Sequence, residues 1–147
     1  MTEFSYLDNQ VCFAMYSATN AMIRQYRPLL QEYDLTYPQF IVLLALYEKD
    51  NVTLSEIGQK TFFDSCTLTP IIKKLEEKQF LKRVAVKEDE RMKKVILLEK
   101  ALAAKDEITL IPFKLACSLG VDPNDLVAIH NLCHRFLKGL ESSKLES

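Results

Sequence analysis

The hydrophobic period of this chain changes from helical to strand-like near residue 80, and that change restricts the possible fold more than any other feature. Before it, Cys12, Met15, Tyr16, Thr19, Met22, Ile23, Tyr26 and Leu30 recur at three- and four-residue steps, which predicts one long amphipathic helix ending near Tyr33. After it, Leu81–Val86 and Lys94–Leu98 read as two short strands. Between them lies Lys87-Glu88-Asp89-Glu90-Arg91-Met92-Lys93, a charged tip too long for a two-residue turn. Two strands alone are marginal in water, so this ribbon must lean on the helices that precede it.

Local signals divide the helical part. Thr36-Tyr37-Pro38-Gln39 offers a capping threonine, an early proline and a glutamine at the third helical position, and so opens a second helix. Its body, Phe40 to Tyr47, is almost wholly apolar and belongs in a core. Thr53-Leu54-Ser55-Glu56 is a second capping box and starts a short helix through Lys60. A fourth helix begins at Asp64 or Ser65 and runs to about Lys78; Thr67 is the alternative cap, because Pro70 lies deep for a helix starting earlier. Helices return from Lys100 to Leu119, with Pro112 expected to kink or break them. Asp122-Pro123 then opens a last helix through about Leu140. Helix, turn, helix and charged hairpin make a mainly α (α+β) chain with a winged helix-turn-helix.

Charge sharpens that reading. The formal net charge is −1, yet Lys60 to Lys94 holds ten basic and six acidic residues, leaving nine and fourteen elsewhere. A basic segment inside an acidic body suits a DNA-reading face. Ser65, Thr67 and Thr69 place small hydroxyls near base edges and phosphates, with Lys73 and Lys74 to neutralise backbone charge. Arg91 at the hairpin tip is placed to enter a minor groove, and Asp89 to hold it there. The plainer alternative is a solvated helix face and a charged loop.

No apolar run reaches the length needed to cross a bilayer, so a cytoplasmic protein is expected. In that compartment the four cysteines, at 12, 66, 117 and 133, are reduced at rest. Their spacing matches no metal pattern, so neither a metal nor another cofactor is expected. Cys12 has Tyr16 one helical turn away, with Tyr26 and Tyr37 farther along. A buried core cysteine needs no phenols, whereas a thiolate is stabilised by hydroxyl donors.

Phe63-Asp64-Ser65-Cys66-Thr67-Leu68-Thr69-Pro70-Ile71-Ile72-Lys73-Lys74-Leu75-Glu76, followed by Asp89-Glu90-Arg91, resembles the recognition helix and wing of MarR-family regulators. Leu7 to Cys12, Tyr26-Arg27-Pro28-Leu29-Leu30 and Thr36-Tyr37-Pro38-Gln39 are similar to one branch, the OhrR repressors that sense organic hydroperoxides. The resemblance covers residues 5 to 98 well. It implies DNA contacts from Ser65, Thr67, Thr69, Pro70, Lys73, Lys74, Asp89 and Arg91. It also implies a peroxidatic role for Cys12, with Tyr16, Tyr26 and Tyr37 hydrogen-bonding it, two of them from the other subunit. Cys117 resembles a resolving cysteine, with Cys133 and a small thiol as competitors; Ile129, Leu132, Cys133 and Phe136 read as core. Two departures stand out. Cys66 replaces a small residue, and Gln79 replaces the glycine that usually supplies a positive φ after the recognition helix.

The implied protein is not an enzyme but a homodimeric repressor of peroxide-defence genes on a pseudo-palindromic duplex site, released when organic hydroperoxide oxidises Cys12. Residues 36–98 form its winged helix-turn-helix, and residues 1–35 and 99–147 its helical dimerisation region. Three alternatives remain open. They are a one-cysteine global or virulence regulator, a regulator gated by a phenolic ligand, and a thiol peroxidase, which leaves the DNA-reading segment unexplained.

Overall fold

The computed structural model describes residues 6–144; the outermost residues of the two helical end regions, 1–5 and 145–147, lie outside the described residues. A 3-10 turn at Leu7–Asn9 leads into α1 (Val11–Gln31), α2 (Tyr37–Glu48), β1 (Val52–Thr53), α3 (Leu54–Thr61) and α4 (Ser65–Glu77). The chain continues through β2 (Leu81–Val86), β3 (Asp89–Leu97), α5 (Glu99–Ala103), α6 (Lys105–Ser118) and α7 (Pro123–Lys144). It divides into two compact units, Met1–Ile111 and Pro112–Ser147.

In the first unit both expected capping boxes form. The Thr36 hydroxyl accepts from the Gln39 N–H while the Gln39 amide oxygen accepts from the Thr36 N–H, and Thr53 and Glu56 repeat the arrangement. These caps satisfy helix-end N–H groups that burial would otherwise orphan. Phe40, Val42, Leu43 and Leu46 of α2 are buried, and Ile57, Leu68, Ile72 and Leu75 of α3 and α4 close around them. Of α1 only Leu30 is fully buried, and toward the N-terminus Val11 and Tyr16 are exposed.

The sheet has three strands, not two. Val52 and Thr53 pair with Val95 and Lys94, giving the antiparallel order β1-β3-β2. The charged hairpin also differs from expectation. Val86 pairs with Asp89 across a two-residue turn at Lys87-Glu88, and most of the charged stretch belongs to β3, with the register shifting between Ala85 and Val86. Backbone pairing does not require buried side chains, so a solvated ribbon extends past the point where apolar alternation stops.

Three helix boundaries resolve differently from, or more sharply than, the sequence reading. Asp64 caps α4 by accepting from the Thr67 N–H at 2.7 Å, so Thr67 is not the cap; Pro70 is the sixth residue and is absorbed. Gln79 does take a left-handed φ of 63°. The Phe80 N–H reaches Leu75 O and the Gln79 N–H reaches Glu76 O, the paired bonds of a Schellman ending. The later break falls at Ala104 rather than Pro112, which sits inside α6. The Tyr47 hydroxyl donates to Ala101 O at 2.7 Å, taking the carbonyl a continuous helix would offer to the Lys105 N–H.

In the second unit Asp122 caps α7 through the Asn124 N–H at 2.8 Å, and α7 continues past the expected end at Leu140 to Lys144. Ile129, Leu132 and Phe136 are not core: all three are exposed, with Cys133 partly so. Their spacing made them look buried, but among the described residues each keeps about half of its surface open.

Candidate nucleic-acid interface and thiol site

The α4 helix separates two faces. Leu68, Ile72 and Leu75 turn into the core, while Ser65, Thr67, Thr69, Pro70, Lys73 and Lys74 are exposed. The N–H groups of Thr67 and Cys66 and the Thr67 hydroxyl hold the Asp64 carboxyl below its usual range. The Thr69 hydroxyl donates to Ser65 O at 2.8 Å and so is turned back onto its own helix. Lys74 pairs with Glu77 at 3.0 Å, and Lys73 has no ion pair among the described residues. Of the two lysines, only Lys74 is thus held by a carboxylate within 4 Å among the described residues.

Arg91 lies in β3, three residues past the turn at Lys87-Glu88, so it flanks the wing tip instead of forming it. Asp89 holds its main chain: the Arg91 N–H donates to Asp89 Oδ1 at 3.0 Å. The residue that the sequence reading missed is Glu76. Its carboxylate accepts from Arg83 Nη2 at 2.7 Å, Arg83 Nε at 3.0 Å and the Arg83 N–H at 3.0 Å, tying α4 to the base of the wing. Side-chain and then main-chain donation from Arg83 lowers the Glu76 carboxyl from its ordinary 4.5. A lowered folded-state value stabilises the protein above the ordinary carboxylate range and loses that contribution as pH falls through the folded value. Glu76→Gln should cost about 1 kcal/mol for this partly buried pair, read as a melting-temperature drop of roughly 2–4 °C at pH 7. Melting at pH 3 should show the gap to the parent closing; an undiminished gap would mean the charge is irrelevant.

Cys12 is exposed in the first turn of α1, with exposed Tyr16 one turn on. Tyr26 and Tyr37 meet elsewhere, with ring centroids 4.9 Å apart and Phe40 against both. Burial raises both phenols, and Tyr37 raises Tyr26 further, so each keeps its proton and remains a donor at neutral pH. Fourteen residues of helix separate Cys12 from Tyr26, roughly 21 Å at 1.5 Å per residue. The fold thus brings Tyr26 to Tyr37 but neither to its own Cys12. Cys117 is exposed on α6, and Cys66 is exposed on the outer face of α4.

Beside the phenol pair lies a cavity of about 460 Å³ lined by Ile23, Arg27, Leu30, Tyr37, Pro38 and Lys78, among others. Lys78, the C-cap of α4, donates to Gln39 Oε1 at 3.1 Å and to Asp34 O, linking the end of α4 to the first turn of α2 that carries Tyr37. Among the described residues no cluster of three or more His, Cys, Asp or Glu side chains could hold a metal, and no helix is long and apolar enough to cross a membrane.

The family profile of the transcriptional regulators SarA/Rot matches residues 24–108, from the last third of α1 through the wing into α6. The chain belongs to the SarA/Rot family. It is a DNA-binding transcriptional regulator with the MarR-like winged-helix fold. SarZ of Staphylococcus aureus is 35% identical over 92% of this chain and 91% of its own length. TtmR of Methylorubrum extorquens is 40% identical over 78% of this chain, which spans 59% of the length of TtmR. In structure, reduced AbfR bound to DNA superposes with a TM-score of 0.77 at 28% identity, covering 95% of this chain and 96% of AbfR; AbfR comes from Staphylococcus epidermidis. TtmR and SarZ are both HTH-type transcriptional regulators.

Proposed function

We propose that this SarA/Rot regulator is a homodimeric, cytoplasmic repressor of peroxide-defence genes whose DNA affinity is switched by oxidation of Cys12. The observation that carries the reading is the separation just described: an exposed thiol at one end of α1, and a protonated phenol pair too far along the same helix to reach it. A second copy, running the other way, can bring the two together, which is the arrangement implied by the OhrR-like motifs around Cys12, Tyr26 and Tyr37. The dimerisation region is residues 1–35 and 99–147, and residues 36–98 read a pseudo-palindromic duplex. AbfR supports the thiol chemistry, since its structure is known reduced on DNA, overoxidized on DNA and with a disulfide formed.

The chemistry balances in two steps. The Cys12 sulfur attacks the terminal oxygen of an organic hydroperoxide, giving the sulfenic acid and releasing an alcohol; sulfur is oxidised and the O–O bond is reduced. A second thiol then displaces water from that sulfenic acid to form a disulfide, and Cys117 is its proposed source. A disulfide demands Cα atoms within about 7 Å, so closing it repositions the helices that carry the two DNA readers. Cys66 takes no part in this sequence.

A second reading is favoured by the 460 Å³ cavity with Arg27 and Lys78 at its wall. Its size and its mixed lining, Arg27 beside the Lys78–Asp34 ion pair, suit a small phenolic ligand, which would act on the same α2–α4 link through Lys78.

The DNA reading is tested by Arg91→Ala and Lys73→Ala in fluorescence anisotropy against a duplex selected by the reduced parent protein. Each should weaken binding roughly tenfold, and Lys73→Ala should flatten the salt dependence by about one phosphate contact per subunit. Parent-like binding by both variants would remove α4 and the wing from the interface.

A further inference from the structure

Among the described residues, four other than glycine have a left-handed backbone: Asp34, Asn51, Phe62 and Gln79. Aspartate and asparagine tolerate that region, and Gln79 closes the end of α4. Phe62 has no such excuse. It is an aromatic residue at φ 62°, ψ 16°, where a bulky side chain is strained. Its ring gains little from the fold in return, being 62% exposed.

The turn itself is held by its neighbours. The Thr61 hydroxyl donates to Ile57 O at 2.7 Å and accepts from the Phe63 N–H. Phe63 packs on the core. Gly58 lets the Phe63 carbonyl approach to a point only 3.0 Å from where a Cβ would stand. Glycine or asparagine at position 62 would satisfy this backbone better, so folding alone does not account for the ring. What distinguishes the position is its place in the chain: it lies two residues before Asp64, the cap of α4, beside the exposed N-terminal turn carrying Ser65 and Thr67.

We propose that Phe62 is a DNA contact, its ring packing on the carbon faces of deoxyriboses at the lip of the groove that receives α4. The proposal rests on α4 being the reading helix. It assigns an apolar part of the interface to the turn between α3 and α4, separate from the lysine and arginine contacts. An apolar contact displaces water and not counterions, so it contributes to affinity without contributing to the salt slope.

The experiment compares Phe62→Asn, Phe62→Tyr and Lys73→Ala with the parent, by thermal melting and by anisotropy titration at several salt concentrations on the selected duplex. Phe62→Asn should melt at or up to about 3 °C above the parent, since the backbone strain is relieved. It should bind DNA roughly tenfold more weakly, the worth of covering much of an aromatic ring, with an unchanged salt slope. Phe62→Tyr keeps the ring and should bind like the parent. Parent-like affinity in Phe62→Asn, or equal loss in Phe62→Tyr, overturns the proposal. So does a flattened salt slope in Phe62→Asn, which would mean that α4 itself has been displaced. Weakening in Lys73→Ala alone leaves α4 as the reader and removes only Phe62, whereas no weakening in Lys73→Ala removes both.

Discussion

Phe136→Asp should convert the protein from a dimer to a monomer and lower its DNA affinity by a hundredfold or more. On α7, Ile129, Leu132, Phe136 and Leu140 follow one another at three- and four-residue steps, and each is about half exposed in the single chain. An apolar stripe at that spacing is the signature of a helix that buries its face against another. The OhrR-like resemblance assigns that role to the terminal helices, with a second copy as occupant. A carboxylate at the centre of the stripe would be desolvated on association, which costs several kcal/mol without a partner cation. Loss of the dimer then uncouples the two DNA readers, and bivalent attachment commonly supplies a factor of 10²–10⁴. Lys138→Ala, on the opposite face of the same helix, should leave both properties intact. Light scattering gives the mass directly, and a dimeric Phe136→Asp protein would place the interface elsewhere.

The second large effect is expected at Cys12. Cys12→Ser should bind DNA as the reduced parent does, since the residue lies at the start of α1 and far along the chain from α4. It should then stay bound after treatment with an organic hydroperoxide, because a hydroxyl cannot follow the sulfenic route. Parent protein treated in the same way should run as a covalent dimer on a non-reducing gel, reversed by dithiothreitol through thiol exchange. Cys117→Ser should lose that band and release DNA slowly or incompletely. A retained response in Cys12→Ser would move the switch to another thiol. A monomeric band with Cys12 bonded to a small thiol would leave Cys117 outside the switch.

How much of this was legible in the sequence depended on how local each determinant is. The capping boxes at Thr36 and Thr53 are complete within four residues, and both formed as read. The left-handed Gln79 was equally legible, because the end of α4 needs positive φ whatever residue supplies it. Determinants that join distant segments were not. β1 is two residues long and exists because β3 offers it an edge. The break at Ala104 is made by Tyr47, more than fifty positions earlier. The Glu76–Arg83 link joins a helix to a strand whose separate patterns say nothing of each other. The α7 stripe misled for a different reason: period reports that a face is apolar, but not whether its own chain covers it. At the candidate site the sequence supplied the residue types, and the fold added one decisive distance, the length of α1 between Cys12 and Tyr26.

The central claim is most directly tested by one anisotropy titration carried through three states of the same sample on the same selected duplex. The reduced protein should bind tightly. Stoichiometric cumene hydroperoxide should weaken binding at least tenfold as Cys12 is consumed, and dithiothreitol should restore the original curve. Unchanged affinity in a sample whose mass spectrum shows Cys12 in a disulfide would contradict the account.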